Sequence, residues 1–156
     1  MKGMILIGLL LFSACTSYAQ PMLYSNTVRE ALMRQHNKMY YITSLTDSVT
    51  VSNGVVIYAD GSIRDATGKV YMMADGDCVK FNGKLVIFYE WIKTVDGIKT
   101  KRHCVRVWSI LTKPVKLQNG TIAMPDGTLK LTTGNEVKML NKDFMGFEGT
   151  ETSALQ

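Results

Sequence analysis

The sequence predicts an all-β protein built from two repeated antiparallel β-meander modules after an N-terminal signal peptide. Three observations predict it. The chain of 156 residues aligns with itself without a gap at a shift of 66, glycine-centred turns arrive every seven or eight residues, and apolar residues alternate between them. A shift that places Asn53-Gly54 on Asn119-Gly120, Asp60-Gly61 on Asp126-Gly127 and Thr67-Gly68 on Thr133-Gly134 is the mark of an internal duplication. Met73 falls on Met139, Asp77 on Asp143, Phe81 on Phe147 and Gly83 on Gly149 in the same register. Upstream, Leu45-Thr46 falls on Leu111-Thr112 and Val49 on Val115.

The N-terminal segment comes first. Lys2 supplies a positive start, Met4 to Phe12 a short apolar run, and Ser17-Tyr18-Ala19 the small residues that precede a cut before Gln20. The apolar run is too short for a permanent membrane span. A second cut is open, because Phe12-Ser13-Ala14-Cys15 resembles a lipobox, in which Cys15 is acylated and becomes the N-terminus. Phe12 stands where that pattern prefers Leu, which favours the cut at Ala19. Either route predicts export to the periplasm or the cell exterior, and acylation would make the product an outer-membrane lipoprotein.

Residues 1–19 are therefore set aside, the first repeat is drawn over 28–93, and the second over 94–150. Between Ser25 and Gln35 the pattern allows a short helix capped by Asn26, but the corresponding segment of the second copy carries Asp96-Gly97 and favours strand. Met39 to Ile42 reads as a strand matching Val105 to Trp108.

The first meander follows, with turns at Asn53-Gly54, Asp60-Gly61, Thr67-Gly68, Asp75-Gly76 and Asn82-Gly83. Asn-Gly and Asp-Gly suit two-residue type I′ loops, whose two central residues both take positive φ. About five residues then remain per strand, each strand pairing with the next. Val49 with Val51, Val56 with Tyr58, Tyr71 with Met73 and Val79 with Phe81 are expected to face one way. Val115 with Leu117, Ile122 with Met124, Val137 with Met139 and Met145 with Phe147 repeat the arrangement. The run Leu85 to Ile92 reads as a longer, more buried strand, followed by a turn at Asp96-Gly97.

These residues carry a family likeness. Val49-Thr50-Val51-Ser52-Asn53-Gly54, Tyr58-Ala59-Asp60-Gly61, Asp75-Gly76-Asp77-Cys78-Val79 and Phe81-Asn82-Gly83 resemble the module known as domain of unknown function 6799. The likeness covers about 34 to 84 and, less cleanly, 100 to 149. It departs from the pattern at Asn141-Lys142, where the Asp75-Gly76 turn is lost, and at Phe144 in place of Cys78. The resemblance implies a Bacteroidetes origin, export and tandem copies, and no activity.

Chemistry is sparse. No nucleophile elbow, HExxH, CxxC, phosphate loop or dinucleotide fingerprint occurs, so neither an enzyme nor a cofactor is expected. His36 and His103 sit one residue apart in the repeat register and read as surface turn residues; His103 with Cys104 supplies only two ligands, too few for a metal. Asp75-Gly76-Asp77 suggests calcium, but Lys142 in the matching loop opposes it. Met39, Met72, Met73, Met139 and Met145 suit Cu(I) in principle and core filling in practice. After cleavage at Ala19 two cysteines remain, which makes a Cys78–Cys104 disulfide a hypothesis for an exported chain. Cys78 is out of phase with Val79 and Phe81 and should share a face with Lys80.

The net charge of +5 is mildly basic, and its densest patch is Lys99-Thr100-Lys101-Arg102-His103, with Lys93 and Arg106 near it. Lacking interleaved aromatics, it is no nucleic-acid signature. Lys99, Lys101, Arg102 and His103 are the candidate contact for a polyanionic surface component or an envelope protein. The expected function is a non-enzymatic binding or structural module of the cell envelope, not an integral membrane protein unless lipid-anchored. The alternative is a periplasmic small-ligand or metal-handling protein.

Overall fold

A computed structural model describes residues 30–146, whose regular structure is antiparallel strands joined by turns, with one 3-10 turn at Ser52–Gly54. The Ala19 cut and Cys15 lie outside the described residues, as do the repeat matches at Phe147 and Gly149. The chain divides into two compact units.

The first unit takes described residues 44–107. It contains a four-stranded meander of β3 (Ser48–Thr50), β4 (Val56–Tyr58), β5 (Ser62–Arg64) and β6 (Val70–Met72) in that order. It also contains β7 (Cys78–Phe81), β8 (Lys84–Val95) and the part of β9 (Ile98–Ile110) up to Val107, with β8 in the middle. The meander thus has four strands and does not continue through the expected turns at Asp75-Gly76 and Asn82-Gly83. After Met73 the chain turns at Ala74 to Asp77, and β7 pairs with β8 rather than with β6. Val51, Ile57, Ile63, Met73, Val86, Phe88 and Val105 form the core.

The second unit takes described residues 30–43 and 108–146. Its meander is β10 (Val115–Lys116), β11 (Ile122–Ala123), β12 (Thr128–Lys130) and β13 (Glu136–Lys138). Its other strands are β14 (Phe144–Gly146), β1 (Glu30–Gln35) and β2 (Lys38–Ser44), with β1 in the middle. The strand reading of the Ser25 to Gln35 stretch thus holds from Glu30 onward. Leu32, Met39, Leu111, Leu117, Ala123, Leu129, Met139 and Met145 form its core, and the Tyr40 and Trp108 rings meet edge to face at 5.6 Å.

The two cores correspond position by position at the sequence shift: Leu45 and Leu111, Val51 and Leu117, Ile57 and Ala123, Ile63 and Leu129, Met73 and Met139. The correspondence runs across the copies as well. Val105, from the second copy, fills the first core, and Met39, its counterpart in the first copy, fills the second. Each compact unit is a meander of one copy completed by strands from the other, β9 in the first unit and β1 with β2 in the second.

Most meander loops are not the two-residue type. Thr50 pairs with Val56, leaving five residues between them, and Ile57 pairs with Ile63 across another five. An odd loop inverts the parity that a two-residue loop would set. Ile57 therefore points into the core in place of the expected Val56 and Tyr58, and Ala123 does so in place of Ile122 and Met124. At Asp60-Gly61 the Gly61 N–H donates to the Tyr58 carbonyl, and only the glycine takes positive φ. Two-residue loops with both φ values positive occur at His36-Asn37, Asn82-Gly83 and Asp96-Gly97. Asn53-Gly54 and Asn119-Gly120 hold equivalent places, with Val51 N–H bonded to the Val55 carbonyl and Leu117 N–H to that of Thr121.

The turn expected to vanish at Asn141-Lys142 is retained. Lys142 adopts φ 75 where Gly76 adopts φ 84. The Lys142 N–H donates to the Arg34 carbonyl at 2.6 Å as that of Gly76 does to Phe88 at 2.9 Å. A bond that closes the turn onto the neighbouring strand holds a lysine in a conformation that L-residues avoid.

Candidate functional site

The two hairpins flanking the meanders are unequal. β1 and β2 have 6 and 7 residues, whereas β8 and β9 have 12 and 13. Both begin alike: Cys78 pairs with Ile87 and Val79 with Val86, just as Phe144 pairs with Met33 and Met145 with Leu32. The surplus is six residues on each arm of the second hairpin. It forms a ribbon beyond Tyr89 that turns at Asp96-Gly97 and returns through His103.

Burial follows that division. Leu85 to Tyr89 are buried on both faces of β8, and Val105 and Arg106 are buried on β9. From Ile92 to His103 every residue is exposed. The strand expected to be buried through Ile92 is buried only to Tyr89, because no element of the first unit's core reaches farther. Ile92 is 66 % exposed, Val95 53 % and Ile98 69 %.

All four expected contact residues lie on this ribbon. Lys99, Lys101 and Arg102 are exposed on β9, and Lys101 Nζ sits 3.0 Å from the Glu90 carboxylate. His103 is no turn residue. It lies within β9, its ring stacked on Phe88 at 5.9 Å between centroids, because the longer hairpin moves the turn away from it. His36 does occupy the β1–β2 turn, with φ 48. The composition of the patch left out its apolar members, Ile92, Val95 and Ile98. Their signal was the pair of β-branched residues bracketing Asp96-Gly97.

Elsewhere the polar residues close turns. Asp60 Oδ1 accepts from the Ser62 N–H at 2.8 Å and its hydroxyl at 2.6 Å. Asp65 Oδ1 accepts from the N–H groups of Thr67 and Lys69 at 2.9 and 3.0 Å. These bonds lower both carboxyls from the usual range, the Ser62 and Thr67 hydroxyls being the leading causes. The backbone N–H of Thr128, followed by Lys138 and the Thr128 hydroxyl, holds the Asp126 carboxyl at about 2. The aspartates that suggested calcium are similarly engaged. Asp75 Oδ1 accepts from Glu90 N–H at 2.9 Å and Asp77 Oδ2 from Ala74 N–H at 2.7 Å. Asp143 accepts from Leu140 N–H in the matching place, so a structural bond accounts for that carboxylate in both copies. Among the described residues no three His, Cys, Asp or Glu side chains cluster to hold a metal. Met39, Met73, Met139 and Met145 are core residues, while Met72 is exposed.

The Cys78–Cys104 bond does not form. Cys104 on β9 keeps its thiol, and burial raises its pKa against the opposing influence of Arg106. In the first unit β8 separates β7 from β9, which puts residues on the outer strands about 10 Å apart, beyond disulfide reach. Cys78 lies on the Lys80 face yet is buried, while Lys80 itself is exposed.

The arrangement is that of a tandem hairpin-repeat protein with one extended ribbon. The chain belongs to the family described as domain of unknown function 6799, whose model matches residues 29–85 and 106–150. The ribbon falls between the two matched segments. No curated protein and no solved structure matches the chain. Among the described residues no helix is long and apolar enough to cross a membrane.

Proposed function

We propose that this protein is an exported, non-enzymatic binding module of the cell envelope that engages its partner through the β8–β9 ribbon. One observation carries the reading: a two-stranded arm, six residues longer per strand than its counterpart, presents Ile92, Val95 and Ile98 among Lys93, Lys99, Lys101 and Arg102 with no core to support. Exposed apolar side chains grouped with cations on a projecting element suit recognition. The carboxylates of Asp60, Asp65, Asp77 and Asp126 support the same reading, since they bond to nearby backbone and hydroxyl groups. The export signature and the family's domain description give no catalytic role to set against it.

The test replaces Lys99, Lys101 and Arg102 with Ala in the full chain and measures retention by an immobilised envelope fraction over a salt series. Reduced retention and a flatter salt dependence are expected, with an unchanged melting temperature. Retention equal to the parent's at every salt concentration would remove the ribbon from the function.

A further inference from the structure

We propose that the ribbon docks onto an anionic phospholipid bilayer, its tip seated among the headgroups and its cations against the phosphates. This deepens the binding role given to the ribbon above and rests on it. Val95 and Ile98 bracket the two-residue loop Asp96-Gly97, so they stand side by side on one face at the far end of the hairpin. Alternation places Trp91 and Lys93 on that face along β8, and Thr100 and Arg102 along β9. The opposite face carries Ile92 and Thr94 with Lys99 and Lys101. The tip is apolar and the cations begin behind it.

This order matches a bilayer surface in depth. Lys93 is two residues behind Val95, about 7 Å along the strand. The polar layer between hydrocarbon and water is itself roughly 5–7 Å thick on each side. With Val95 and Ile98 at the hydrocarbon boundary, Lys93 lies at the phosphates. Lys99, beside the tip, reaches the same level by extending its stem outward. Arg102 lies roughly 13 Å behind Ile98, near the limit of electrostatic reach at ordinary ionic strength.

Two features bound the depth. The outer edges of a two-stranded ribbon leave backbone N–H and C=O groups that hydrocarbon cannot satisfy, so only the tip enters. Asp96 occupies the loop itself and opposes contact with anionic lipid. The four cations Lys93, Lys99, Lys101 and Arg102 outnumber the two ribbon acids, Glu90 and Asp96, and Glu90 already pairs with Lys101.

The experiment is co-sedimentation of the full chain with vesicles of phosphatidylcholine alone or with about one third phosphatidylglycerol. Binding to the anionic vesicles only, weakened by added salt, is expected. Val95→Ser with Ile98→Ser should lower the partition at least fivefold, and Lys93→Ala, Lys99→Ala and Arg102→Ala together at least tenfold. Asp96→Asn should raise it. Melting temperatures report folding, because every substituted side chain is exposed. If the tip variant binds as the parent does while the charge variant does not, bilayer insertion is wrong and the ribbon is a plain polyanion contact. If the parent ignores anionic vesicles but still needs the ribbon for envelope retention, the membrane proposal falls and the binding role stands. Failure of both assays overturns both.

Discussion

The backbone N–H of Leu45 donates to the carbonyl of Val105 at 2.8 Å, and that of Leu111 donates to Met39 at the same distance. The pairs are images of one another at the repeat shift with the copies exchanged. The first copy's meander is closed by a strand of the second, and the second copy's meander by two strands of the first, β1 and β2. Met39→Ala should therefore unfold the unit it packs in rather than the copy it is encoded in. A loss of about 2–5 kcal/mol is expected for a buried methionine. Hydrogen exchange should lose protection across Val115 to Met145 before Val49 to Phe81.

Gly61 lies against the Phe88 ring so closely that a Cβ there would sit 2.3 Å from a ring carbon. Gly68 has nearly the same φ, +89 against +86, with nothing within 4 Å. Gly68→Ala should cost roughly 1–2 kcal/mol for the left-handed backbone alone. Gly61→Ala should add roughly 1–3 kcal/mol for overpacking. Combining Gly61→Ala with Phe88→Ala should then cost less than the two changes sum to separately, a coupling that denaturant unfolding measures.

Lys142 carries a φ of 75 that its counterpart supplies with glycine. Lys142→Gly relieves that strain and loses part of the gain to the greater freedom of the unfolded chain. A net stabilisation of about 0.5–1 kcal/mol is expected in thermal or urea unfolding.

The turn carboxylates tie stability to acid. Asp60 and Asp65 lie below the ordinary carboxyl value, and Asp126 lies at about 2. A depressed folded pKa gives stabilisation that is complete above the unfolded value near 3.8 and lost as pH falls through the folded value. Unfolding midpoints should fall between pH about 4 and about 2. Asp126→Asn should flatten that slope, since its amide oxygen still accepts the Thr128 N–H bond without titrating.

The outer meander strands differ between copies. β6 is Val70-Tyr71-Met72, with Val70 59 % and Met72 66 % exposed, whereas β13 is Glu136-Val137-Lys138. Charges on an edge strand discourage pairing with another chain, and β6 has none. Val70→Lys with Met72→Glu should reduce concentration-dependent association in light scattering and leave the melting temperature nearly unchanged.

Sequence by itself determined the all-β class, the duplication and the Asp96-Gly97 hairpin, because turn dipeptides and alternation act over a few residues and survive any packing. It also marked Lys99, Lys101, Arg102 and His103 as one basic hairpin patch, though it took His103 for a turn residue where the structure places it within β9. Tertiary structure decided the rest. Ile57 replaced Val56 and Tyr58 in the core because a five-residue loop reversed the strand's parity. Cys78 was held apart from Cys104 because β8 ran between their strands. Lys142 kept a turn its side chain disfavours because Arg34 offered its carbonyl. Val105 and Met39 exchanged places because both are apolar and fit equivalent slots, so no local pattern tells which copy supplies the closing strand. That choice rests on long-range packing and hydrogen bonding, which no short stretch of sequence contains.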